Sequence, residues 1–188
     1  MRHQLRLFTE TLPTPIGTLV VISDDNDDLR AIDWLDYDDR MRRLLARHYG
    51  ADGVILTPAA ESSRHVSALE AYFEGNLHAI DSLMTATAGT EFQKRVWAAL
   101  REIPAGQTVS YADLARRIGQ PTAVRAVGLA NGANPVSIVV PCHRVIGADG
   151  SLTGYGGGLD RKRWLLDHEK QAVECAEDSV SSAPALPW

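Results

Sequence analysis

The sequence predicts a two-domain α/β (α+β) protein, an antiparallel sheet with helices followed by a mainly helical, winged-helix-like domain. Three observations carry this. Residues 5–35 alternate β-forming and polar side chains between clusters of turn residues. Beyond residue 89, helical spacing with caps and glycine stops takes over. Between the two, Met84-Thr85-Ala86-Thr87-Ala88-Gly89 is small and polar and reads as a linker. The boundaries that follow are 1–88, 89–172 and a flexible tail at 173–188.

Three strands are predicted in the first part: Leu5-Arg6-Leu7-Phe8, Thr18-Leu19-Val20-Val21-Ile22 and Leu29-Arg30-Ala31-Ile32-Asp33-Trp34. Their turns are Pro13-Thr14-Pro15-Ile16-Gly17 and the aspartate run Asp24-Asp25-Asn26-Asp27-Asp28. That run is no EF-hand loop, because Leu29 and Leu35 stand where glycine and glutamate are needed. Met41 to Tyr49 has helical spacing, with Met41, Leu44, Leu45 and His48 on one side. Residues 63–74 make a second helix, ended by Gly75-Asn76.

In the second part, Thr90 and Gln93 form a capping box, opening a helix with Phe92, Val96, Trp97 and Leu100 inward. Ser110 and Asp113 open the next, Tyr111 to Ile118, which Gly119 ends. Pro121 is placed at the first position of a third, running through Ala130. Two short helices joined by Gly-Gln-Pro make a helix-turn-helix candidate. The apolar run Val136-Ser137-Ile138-Val139-Val140 reads as a buried strand delivering Pro141-Cys142-His143-Arg144-Val145. Gly154-Tyr155-Gly156-Gly157-Gly158 lacks the Lys-Ser/Thr of a phosphate loop, and its glycines allow a ligand or backbone to come close. Asp160 is placed as the cap of a last helix, Arg161 to Glu169.

Composition narrows the classes of function. With 188 residues, 45% hydrophobic and 23% charged, the chain can bury a real core. No apolar leader and no membrane-spanning run is read, so a cytoplasmic protein is expected. Two cysteines, Cys142 and Cys175, make no disulfide framework and suit a reducing compartment. Net charge is -5, yet residues 90–170 hold eleven Lys and Arg against seven Asp and Glu. That segment is therefore +4 and permits a polyanion partner, while the remainder is -9.

A thiol and an imidazole placed together are the parts of an activated nucleophile. Neighbours on an extended backbone point to opposite sides, so a bridging water between Cys142 and His143 is the natural link. Glu169 is the carboxylate that can orient the imidazole. No histidine stands at zinc-site spacing from a cysteine or another histidine, so no metal and no cofactor is expected. On residue types alone, other readings stay open: a Cys-His-Glu hydrolase, or a non-catalytic helix-turn-helix protein that binds or marks damaged DNA.

Specific stretches go further. Pro141-Cys142-His143-Arg144-Val145, Asn134-Pro135-Val136, Arg125-Ala126-Val127-Gly128, Val109-Ser110-Tyr111 and Trp164-Leu165-Leu166-Asp167-His168-Glu169 resemble the O6-alkylguanine-DNA alkyltransferases, over about residues 90–170. Residues 1–85 resemble the family's N-terminal domain, which implies a ribonuclease-H-like sheet. The resemblance implies direct-reversal repair, with Cys142 taking the alkyl group from O6 of guanine, once per chain, from double-stranded DNA bound through its minor groove. Whether O4-alkylthymine is also a substrate is left open by the sequence. His143 is then the base acting through water, Glu169 its orienting partner and Asn134 the hinge. Residues 121–131 become the recognition helix, in which Arg125 fills the gap left by a flipped base and Tyr111 turns its phosphate. Ser110, Val124 and Gly128 join that surface. The carbonyls of Cys142 and Val145 accept from the guanine amine, and Tyr155, Gly156 and Gly157 wall the pocket. A monomer is implied, with room for cooperativity on DNA. Non-catalytic relatives carry tryptophan where this chain has Cys142.

Overall fold

The computed structural model describes residues 4–181. Strands β1 (Leu5–Thr14), β2 (Gly17–Asp24) and β3 (Leu29–Trp34) form the predicted antiparallel meander. At the first turn, Thr14 Oγ1 donates to the carbonyl of Gly17 at 2.6 Å. At the second, the Asp24 carboxylate accepts from the backbone N–H of Asn26 at 2.9 Å and of Asp28 at 3.1 Å, and pairs with Arg30. The aspartate run is thus a turn that satisfies itself.

A fourth strand, β4 (Val54–Pro58), was not predicted, and it lies parallel to β1 in the order β3-β2-β1-β4. The sheet is therefore mixed rather than antiparallel throughout. Five residues ending in proline give little alternation to detect, and the helix α1 (Asp38–Tyr49) separates them from β3. Met41 and Leu45 of α1 cover one face of the sheet, against Leu7, Val20, Ile22 and Ala31. Leu19, Val21, Ile32 and Trp34 point the other way, into a core shared with α2 (Arg64–Phe73) and the C-terminal domain. The period-2 alternation of β2 is thus divided between two cores, so both faces of the strand are buried.

Residues 84–86 do not run free as a linker. The N–H of Leu29 donates to Met84 O and that of Ala86 to Leu29 O, each at 2.9 Å. A second tie joins β3 to the C-terminal domain: Ile32 N donates to Pro135 O at 2.9 Å, and Ser137 N to Ile32 O at 3.0 Å.

Helix α3 (Glu91–Arg101) opens on the predicted Thr90/Gln93 capping box, and α4 (Tyr111–Arg117) on the Ser110/Asp113 box. Helix α5 (Val124–Gly132) begins three residues later than predicted. Gln120 O instead accepts from Ala123 N at 2.9 Å, making a turn with Pro121 second, where its fixed φ is favoured. Two-residue strands β5 (Val109–Ser110) and β6 (Val145–Ile146) pair in parallel. The last helix, α6 (Leu159–Ser181), starts before Asp160 and continues through residues 173–181, where a tail was expected. Residues 182–188 of that expectation lie outside the described residues.

The predicted strand before Cys142 is absent. Residues 136–140 make one bridge to Ile32, Ile138 adopts φ of 72°, and Cys142–Arg144 is a single 3-10 turn. An apolar run reports burial, not extension. The buried backbone is satisfied instead by β3 and by the side chain of Asn134, whose Nδ2 donates to Val140 O at 2.8 Å.

Candidate active site

Cys142 sits at the start of that 3-10 turn and is 4% exposed. His143 and Glu169 are fully buried, and His143 Nε2 lies 2.8 Å from Glu169 Oε1. Glu169 also takes Arg144 Nη2 at 2.8 Å and Nε at 2.9 Å, the Tyr72 hydroxyl at 2.8 Å and the N–H of Gly106 at 3.1 Å. Burial alone would raise this carboxyl, but His143 and Arg144 outweigh it and hold Glu169 well below the usual range. An ionised Glu169 requires Nε2 to carry the hydrogen, which leaves Nδ1 as the acceptor. Burial lowers the pKa of His143, so its imidazole is neutral at pH 7, and Nδ1 has no hydrogen-bond partner among the described residues. Geometry and charge therefore present an unprotonated base on the ring beside Cys142.

Burial pushes the Cys142 thiol up, while a hydrogen bond from Asn134 and the charges of Arg40 and Lys162 draw it partly back. Lys162 is itself buried, with no carboxylate paired to it among the described residues. Its Nζ donates to Val145 O at 2.6 Å and Thr153 O at 2.7 Å, and burial brings its pKa down to about 8. Lys162 thus ties β6 to the glycine loop and sets a cation near the thiol. Asn134 closes the turn before Cys142, accepting from Val136 N at 3.0 Å.

The other residues singled out in the sequence fall into three groups. Val124 and Arg125 are exposed on α5, with Gly128 one turn along the same helix. A Cβ at Gly128 would meet the Tyr111 ring at 3.9 Å, and Thr153 Oγ1 donates to the Tyr111 hydroxyl at 3.4 Å. Ser110 is engaged in its capping box, donating to Asp113 at 2.6 Å. The Val145 carbonyl already accepts from Lys162, with a second lone pair left. The Tyr155 ring stands edge-on to His143, centroids 6.5 Å apart. Gly156 and Gly157 lie under the N-terminal domain: a Cβ would meet Arg40 Cζ at 2.5 Å or Trp34 Nε1 at 2.2 Å. The absence of a Cβ at those two glycines is what lets the Arg40 and Trp34 side chains come close.

Sequence reasoning missed Arg40, Tyr72, Arg144 and Lys162. Arg40 donates to Asp33 at 2.5 Å and to the carbonyls of Gly132 at 2.9 Å and Asn134 at 3.2 Å, locking the two domains together. Arg144 was visible beside His143 and could have been weighed. Lys162 stands between Arg161 and Arg163, and nothing in that run marks it for burial.

A buried thiol beside a carboxylate-paired histidine, carried on a helix-turn-helix domain, defines a class of DNA-binding protein with a nucleophilic cysteine. Known proteins narrow it. The model of the 6-O-methylguanine DNA methyltransferase DNA-binding domain matches residues 91–171, and that of its ribonuclease-like domain matches residues 7–87. Methylated-DNA--protein-cysteine methyltransferase of Salmonella typhimurium is 55% identical over 165 residues, covering 88% of this chain and 96% of the relative. The protein of that name from Mycobacterium bovis is 54% identical over 129 residues, 68% of this chain and 78% of the relative. A crystal structure of Mycobacterium tuberculosis OGT in complex with DNA superposes with a TM-score of 0.73 at 42% identity, covering 89% of this chain and 94% of that one. The chain belongs to the 6-O-methylguanine DNA methyltransferase family.

Proposed function

We propose that this protein repairs DNA by direct reversal, moving an alkyl group from O6 of guanine onto Cys142. The observation that carries the reading is the buried His143–Glu169 pair, whose open Nδ1 faces the task of deprotonating a thiol. The thiol proton passes through a water to Nδ1, and the imidazolium is stabilised by Glu169. The thiolate attacks the alkyl carbon, an S–C bond forms as the C–O6 bond breaks, and guanine leaves as its anion to be reprotonated. A thioether has no internal route back, so each chain reacts once.

An atom buried in the duplex stack is reached only if the nucleotide is extruded. Arg125, exposed on a helix of small residues, is suited to fill the vacated space from the minor groove, with Tyr111, Ser110, Val124 and Gly128 beside it. The carbonyls of Cys142 and Val145 accept from the guanine amine, and Tyr155 with the glycine loop walls the base. Asn134 holds the turn that presents the thiol. The protein acts as a monomer in a reducing, cytoplasmic setting and needs no metal.

The test is intact mass after mixing with excess duplex bearing O6-methylguanine. One methyl per chain, mapped to Cys142, with unmodified guanine left in the DNA, is the expected result. Repeated turnover without a change in protein mass would replace the reading with a hydrolase or demethylase. Unchanged DNA would replace it with a damage-marking protein.

A further inference from the structure

The surface between the two domains carries a feature that the reaction at Cys142 does not use. Helix α1 of the N-terminal domain lies beside α5, and a groove of about 580 Å³ opens between them. Arg40, Arg43, Leu44 and Arg47 line one side, and Gly128, Leu129 and Gly132 line the other. Spacing of three and four residues puts these arginines on one stripe of α1. Arg40 is tied into the domain interface. Arg43 and Arg47 are exposed and have no ion pair among the described residues, whereas Arg42, on another face, pairs with Asp38.

Opposite these two cations the recognition helix is poor in charge. Arg125 is its sole basic residue. A helix with side chains is about 10–12 Å across, whereas the minor groove is only about 6 Å wide. The helix therefore enters only as the groove widens, and the phosphates bordering the groove rise along its flank. We infer that Arg43 and Arg47 bind the phosphate backbone of the same duplex that α5 reads, so that the N-terminal domain forms one wall of the DNA site. Leu129, 71% exposed on the facing wall, offers apolar contact to deoxyribose. The occupant follows from charge complementarity: two unpaired guanidiniums, a glycine-floored groove and a polyanion held next to it. The inference rests on the alkyl-transfer reading, since that reading sets the duplex on α5.

The experiment uses the full chain, carrying Cys142→Ser so that transfer does not deplete the complex. The probe is a duplex with one O6-methylguanine, too short to seat two chains. Arg43→Gln with Arg47→Gln should weaken binding roughly tenfold near physiological salt and flatten the plot of log K against log salt by about one to two units. Arg42→Gln, removing a charge from the same helix outside the groove, should leave both within about twofold. With Cys142 restored, the double variant should react with free O6-benzylguanine at the parental rate. Equal losses from Arg42→Gln and the double variant would overturn the inference in favour of a general charge effect. A loss confined to duplexes long enough for several chains would also overturn it, because the groove would then dock a neighbouring chain. Failure of the alkyl-transfer reading shows separately, as parental protein whose mass does not rise with methylated duplex.

Discussion

The two domains supply different things to Cys142. The helical domain provides the thiol, the imidazole, the carboxylate and the buried cations Arg144 and Lys162. The sheet domain provides props: Tyr72 against Glu169, Arg40 against Asn134, and the edge of β3 holding residues 135–137. The chemistry is thus assembled from one domain and braced by the other through polar contacts into a shared core. A nucleophile on a loop with almost no regular structure can stay positioned when a second domain holds that loop from outside.

Substitutions separate what the helical domain supplies from what the sheet domain braces. Cys142→Ser removes the nucleophile itself and should abolish methyl uptake, read by mass, while binding to methylated duplex persists, because a hydroxyl is far less acidic than a thiol. Glu169→Gln should come next. It leaves Arg144 buried without its counter-charge, which costs about 3–5 kcal/mol in a denaturant melt. Acid should expose the same group. Glu169 is held below its ordinary 4.5, so its contribution is complete above that pH and is lost as pH falls below it. The variant should accordingly show a flatter acid limb in stability against pH.

Arg125→Ala should slow transfer from duplex by about tenfold to a hundredfold, since unstacking a base costs a few kcal/mol. Transfer from free O6-benzylguanine should barely change. Equal losses on both substrates would make Arg125 part of the pocket. Tyr72→Phe is the smallest change and tests the brace. Loss of one hydrogen bond to a charged group should cost about 1.5–3 kcal/mol of stability, with transfer slowed less than in Glu169→Gln. A transfer defect as large as that of Glu169→Gln would move the sheet domain from brace to machinery.

What could be read without coordinates was what neighbouring residues decide. The Thr90/Gln93 capping box is set within four residues and formed as predicted, and Ser110 with Asp113 opens α4 where expected, through a capping box of its own. The meander followed from alternation, and Cys142 and His143 are adjacent in sequence. Features set by distant packing were not legible. The proline-ended strand β4 depends on β1 for its partner. The run 136–140 is buried by β3 and Asn134 instead of being extended. Tyr72 meets Glu169 across 97 residues, and its place on the apolar side of α2 resembles that of any core tyrosine. Lys162 has exposed or half-exposed neighbours in Arg161 and Arg163, so its burial is a fact of tertiary packing.

The depth of Cys142 has a bearing on how the protein survives between encounters with damage. Peroxides and small electrophiles attack cysteines in proportion to thiolate character and access. At 4% exposure, with burial pushing its pKa up, this sulfur offers little of either. Oxidation to a sulfinic or sulfonic acid would disarm a single-use molecule as surely as a methyl group would. Sealing the thiol until a base is delivered beside His143 therefore works as a shelf-life device, keeping the molecule unspent for the one substrate that matters.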